Sequence, residues 1–92
     1  MLVSQSWYYS TMVTIERIQT GVRMERRLIK VLKGLAEFLD ISFGELLEGI
    51  TLHALEASVA FDEPATLTAI SQLKELYGLT LSATDSHALD ED

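Results

Sequence analysis

Ninety-two residues without cysteine limit the chain to one modest core, with no disulfide staple and no cysteine-based metal site. Hydrophobic residues make up 48% and charged residues 23%, a globular rather than a disordered composition. No apolar run nears the ~20 residues of a membrane span, and Met1–Ser6 lacks the basic start and long apolar stretch of a secretory signal, so a soluble cytoplasmic protein without a membrane partner is expected.

The net charge of −7 argues against a polyanionic partner, but its distribution does not. Residues 1–34 carry six Arg and Lys against two Glu, whereas residues 35–92 carry one Lys against twelve acids. Such a chain offers one surface to an anionic partner and another that repels it.

Residues 1–14 are polar and aromatic without helical period, and form an N-terminal arm in which Trp7, Tyr8 and Tyr9 can anchor or pack; Met12 is an alternative start. Residues 15–24 alternate with a period of two and read as a strand. Ile18, Thr20, Val22 and Met24 point one way, and Arg17, Gln19, Gly21 and Arg23 the other. Residues 26–39 read as a helix with Leu28, Val31, Leu32, Leu35 and Leu39 on one stripe. Asp40-Ile41 is a tight connection, and Ser42-Phe43-Gly44-Glu45 is a capping box opening a second helix over 43–59.

That second helix is apolar on two sides. Phe43, Leu46, Leu47, Ile50 and Ala54 form one face, and Leu52, Leu55 and Val59 the other, so it needs cover on both. Phe61-Asp62-Glu63-Pro64 breaks the pattern, and 65–77 makes a third helix with Leu67, Ile70, Leu73 and Tyr77 inward and Gly78 as terminator. The acidic tail 79–92 is expected to be loose. The domain division is an arm over 1–14, a core domain over 15–60, a helix over 61–78 that packs on the core, and the tail over 79–92.

One strand before three helices has nothing to pair with in its own chain, and buried ladder groups do not stay unpaired. The simplest partner is the same strand from a second copy, antiparallel about a two-fold axis. The expected fold is therefore mainly α with one short β-strand per chain, closed as a homodimer. Its dimer core is Ile18, Thr20, Val22, Met24, Leu28, Leu32, Leu46, Leu47 and Ile50.

The strand Arg17-Ile18-Gln19-Thr20-Gly21-Val22-Arg23-Met24, the helix positions Leu28, Val31-Leu32 and Leu35-Ala36, the turn Asp40-Ile41-Ser42 and the positions Leu46-Leu47, Ile50 and Ala54 resemble the ribbon-helix-helix family of dimeric DNA-binding repressors. The resemblance spans residues 17–57, and the third helix lies outside it. It implies an intermolecular antiparallel ribbon in the major groove, which admits two strands. Gln19, Arg23 and Arg17 would then contact bases. Arg26 and Arg27, with the helix start at Ser42, Phe43 and Gly44, would contact phosphate. Asp40 stands where the family usually has Gly, and Gly21 stands at an outward position that would otherwise carry a reading side chain.

Arg26 and Arg27 occupy the first turn of a helix, where cations oppose the macrodipole, so an anionic partner or a pairing with Glu25 is needed to explain them. His53 and Glu56 are three apart on one helix, but two ligands without a third do not make a metal site. Asp85, Ser86 and His87 are adjacent in sequence, and a triad is a spatial arrangement. No enzyme activity, metal or cofactor is expected. The expected function is a homodimeric DNA-binding transcriptional regulator. The alternative is a dimerisation or interaction module, antitoxin-like, whose acidic C-terminal half binds a basic protein.

Overall fold

The computed structural model describes residues 13–57 and 60–91. Its first helix, α1, runs from Arg26 to Leu39. Glu25 opens it by accepting the Leu28 amide at 3.0 Å. Asp40 closes it in the left-handed region (φ 59°), with the Asp40 and Ile41 amides donating to the carbonyls of Glu37 and Ala36. The reversal brings α2, Phe43–Glu56, back against α1. A third helix, α3, covers Pro64–Tyr77, with Pro64 in its first turn and Gly78 as a left-handed terminator at φ 68°.

Two short strands join the chain's ends. Strand β1, Val13–Ile15, pairs in parallel with β2, Leu89–Glu91, in the register Val13 to Leu89, Thr14 to Asp90 and Ile15 to Glu91. The Val13 amide also donates to the Ala88 carbonyl at 2.7 Å. Between α3 and β2, Ala83–His87 forms a 3-10 turn that packs on α2. A capping box fixes this turn, the Ser82 amide donating to Asp85 Oδ2 at 2.8 Å.

Three expectations change. The tail is an ordered strap rather than a loose end, held by that turn and by Leu79, Leu81 and Leu89, which share a recess with Ile15, Leu52 and Leu55. A second strand exists, and it lies in that tail. The strand expected over 15–24 is confined to its first residue: β1 ends at Ile15, and residues 16–25 form no ladder among the described residues. The physical reason is that no described element packs over this segment to reward a ladder, and Ile18 and Val22 stand 80% and 71% exposed. The second helix stops at Glu56, short of Val59, which lies outside the described residues, as do Trp7, Tyr8, Tyr9 and Met12.

Among the described residues only Ala36, Leu46 and Leu52 are buried hydrophobics. On α1, Leu32 is half-buried while Leu28, Val31, Leu35 and Leu39 are exposed. On α3, Leu67 and Ile70 are half-buried and border Leu55, but Leu73 and Tyr77 are exposed rather than inward.

Candidate nucleic-acid interface

The four arginines, Arg17, Arg23, Arg26 and Arg27, lie along segment 16–25 and the first turn of α1. Gln19, Arg23 and Arg26 are exposed, and among the described residues Arg23 and Arg26 form no ion pair. Arg27 is also exposed, with Nε donating to Glu25 Oε2 at 2.9 Å. Glu25 thus serves two partners: the Arg27 guanidinium and the Leu28 amide together hold its carboxyl below the ordinary carboxylate range. The unfavourable cation in the first turn of α1 is in this way partly offset by the capping residue itself.

Arg17 is placed differently from its expected role. Its Nε donates to Glu48 Oε2 at 2.8 Å and its Nη2 to Glu48 Oε1 at 2.9 Å, a two-pronged pair with α2. Nη1 reaches Glu91 Oε1 of β2 at 3.4 Å. These carboxylates raise its already high pKa further. As folded, Arg17 is a half-buried clamp between strand, helix and tail rather than a free reading side chain. Sequence spacing could not show this, because Glu48 and Glu91 are brought in from 31 and 74 residues away.

The start of α2 is closed by its own side chains. The Ser42 amide donates to Glu45 Oε1 at 2.9 Å, and the Glu45 amide donates to Ser42 Oγ at 3.1 Å. The Ser42 amide, its hydroxyl and the nearby charge of Arg17 hold the Glu45 carboxyl low, so the helix start carries an anion of its own. The Phe43 and Gly44 amides precede the first intrahelical bonds, and a phosphate meeting them also meets the Glu45 carboxylate. Phe43 is half-buried, with Lys33 Nζ 5.7 Å above its ring.

The residues expected at a dimer core divide by exposure. Leu46 is buried; Met24, Leu32 and Leu47 are half-buried; Ile18, Thr20, Val22, Leu28 and Ile50 are exposed. An open groove of about 490 Å³ runs along α2, floored by Leu39, Ile41, Leu46, Ile50 and Leu89. His53 borders it, and its Nδ1 is 2.7 Å from the Gly49 carbonyl of its own helix. Glu56 turns instead to the tail and accepts the Ala83 amide. Among the described residues no three His, Cys, Asp or Glu side chains converge as a metal cluster, and no helix of the described residues is long and apolar enough to cross a membrane.

No protein-family model matches the chain, and comparison with curated proteins and with solved structures finds no match.

Proposed function

We propose that the chain is a ribbon-helix-helix homodimer that binds duplex DNA as a transcriptional regulator. Residues 16–25 of two copies pair antiparallel and lie in the major groove. The observation that carries this reading is the segment 16–25, which forms no ladder among the described residues and leaves Ile18 and Val22 bare close to the exposed Gln19 and Arg23. An isolated chain gains nothing from leaving those two side chains in water, and a second copy covers them. Gln19 and Arg23 are then the base-reading pair, since they bond bidentately to adenine and guanine. Arg26 and Arg27 meet phosphates.

The test is selection from a random duplex library at low salt, then titration of the enriched sequence. Four phosphate-facing arginines (Arg26 and Arg27 from each copy) give a slope of log affinity against log salt near −3.6, at about −0.9 per contact. Arg23→Ala is expected to cost about 1–3 kcal/mol and relax one base position per half-site. Absence of any enriched sequence overturns the DNA reading.

A second reading is favoured by one specific observation. Arg17 is neutralised by Glu48 and Glu91, so part of the basic strip is consumed inside the chain. An interaction module that binds a basic protein through the acidic half needs no free strip. It becomes the better account if selection fails while the dimer persists.

A further inference from the structure

The geometry points to an autoinhibitory strap: strand β2 and Glu48 hold Arg17 inside the fold and withhold it from DNA, a device that rests on the DNA reading above. Arg17 follows β1 by two residues, at the point where the chain leaves its paired strand for the segment 16–25. β2 lies along β1 in parallel, and its register sets Glu91 opposite Ile15. That placement delivers the Glu91 carboxylate to Nη1 while Glu48 occupies Nε and Nη2.

The carboxylate comes from an anchored element. The Val13 amide bonds to Ala88, the Ala83 amide bonds to Glu56, and the Ser82–Asp85 box fixes the turn before β2. A carboxylate and a phosphate compete for the same guanidinium fork, because both present two oxygens at matching spacing. A phosphate approaching Arg17 must therefore displace Glu48 or Glu91, and it meets Asp90 and Glu91 as like charges. Opening the strap leaves Arg17 held by Glu48 alone, with Nη1 free and a single carboxylate for a phosphate to displace.

Four full-length proteins test this: wild type, Glu91→Gln, Arg17→Ala and the double variant, each titrated with a short random-sequence duplex across a range of salt. Glu91→Gln leaves every β2 backbone group able to pair and removes the charge that ties the strand to Arg17. It is expected to bind about two- to tenfold more tightly at low salt. Its salt slope should steepen by up to about 1.8, from two further phosphate contacts per dimer at about 0.9 each. The gain should vanish in the double variant. Without DNA, hydrogen exchange at the Val13 amide should speed up in Glu91→Gln as the strap loosens. Binding by Glu91→Gln equal to wild type, a gain that persists without Arg17, or unaltered Val13 exchange would each overturn the strap while leaving the DNA reading in place. No binding by any of the four proteins at low salt overturns both.

Discussion

Asp40 holds a left-handed backbone that costs an L-residue more than it costs glycine. Its short polar side chain makes it tolerable there, and the two amides after α1 repay part of the strain by capping Ala36 and Glu37. Asp40→Gly relieves that strain but loosens the unfolded chain. The expected net gain is about 0.5 kcal/mol, read from urea unfolding midpoints. Ser42 and Glu45 act as a unit, and Ser42→Ala should cost about 1 kcal/mol by removing one half of the box. The same pair gives the fold an acid dependence. The carboxyls of Glu45 and Glu25 sit below their ordinary value when folded, so their stabilising effect is complete above that ordinary value. It is lost as pH falls through the depressed folded values. Unfolding midpoints of the wild type should therefore drop on acidification in that window, and Glu45→Gln should drop less steeply. Equal acid slopes for the two proteins would contradict the box as a source of this dependence.

The helices show how unevenly cover is distributed among the elements. On α3, Ile70 borders Leu55 and Leu67, whereas Leu76 is 70% exposed. Ile70→Ala is expected to cost about 1–2 kcal/mol, less than a fully buried site would lose. Leu76→Ala should stay within about 0.5 kcal/mol. Equal losses in the melting experiment would mean that something covers the outer face of α3 in solution. The ends of α1 and the start of α2 were legible in the sequence because they rest on local chemistry: leucines at helical spacing, the Ser42–Glu45 box, Pro64 and Gly78 as punctuation. The tail was not, although Ser82 and Asp85 carry the same three-residue spacing as a box. β2 is three residues long, and its hold depends on Val13 and Arg17, more than seventy positions away. Alternation of side chains read as a strand over 15–24, but the assigned strand ends at Ile15. A period of two in the sequence cannot by itself supply the partner that a ladder needs. For the candidate site, the exposure of Gln19, Arg23 and Arg26 followed from that alternation and from position. The capture of Arg17 depended on tertiary contacts that no local pattern carries.

At the scale of the whole molecule, the single chain leaves too much apolar surface in water for its size. Ile18, Val22, Val31, Phe38 and Tyr77 are each more than half exposed, against three buried hydrophobics among the described residues. Scattered exposed apolar side chains are ordinary, but Ile18 and Val22 lie in the unladdered segment, Val31 on the stripe of α1, and the groove along α2 adds the exposed Leu39 and Ile50. In the proposed dimer, a second copy laid antiparallel on residues 16–25 would pair the backbone groups and cover Ile18 and Val22 in one step. Val22→Asp separates this arrangement from a folded monomer. In an isolated chain the site is solvent-facing, and the substitution should change stability by no more than about 0.5 kcal/mol. In a closed ribbon the same carboxylate is buried without a partner and should cost several kcal/mol, on the order of 2–7, enough to abolish the folded dimer. Sedimentation equilibrium across a range of concentrations, paired with thermal melts, reads the difference. The wild type is expected to sediment as a dimer, with a melting temperature that rises with protein concentration, because folding and association are linked. Val22→Asp is expected to be unfolded or aggregated at every concentration. A wild type that stays monomeric, with a concentration-independent melt, and a Val22→Asp variant equally stable would together remove the ribbon, and with it the placement of Gln19 and Arg23 as readers of DNA.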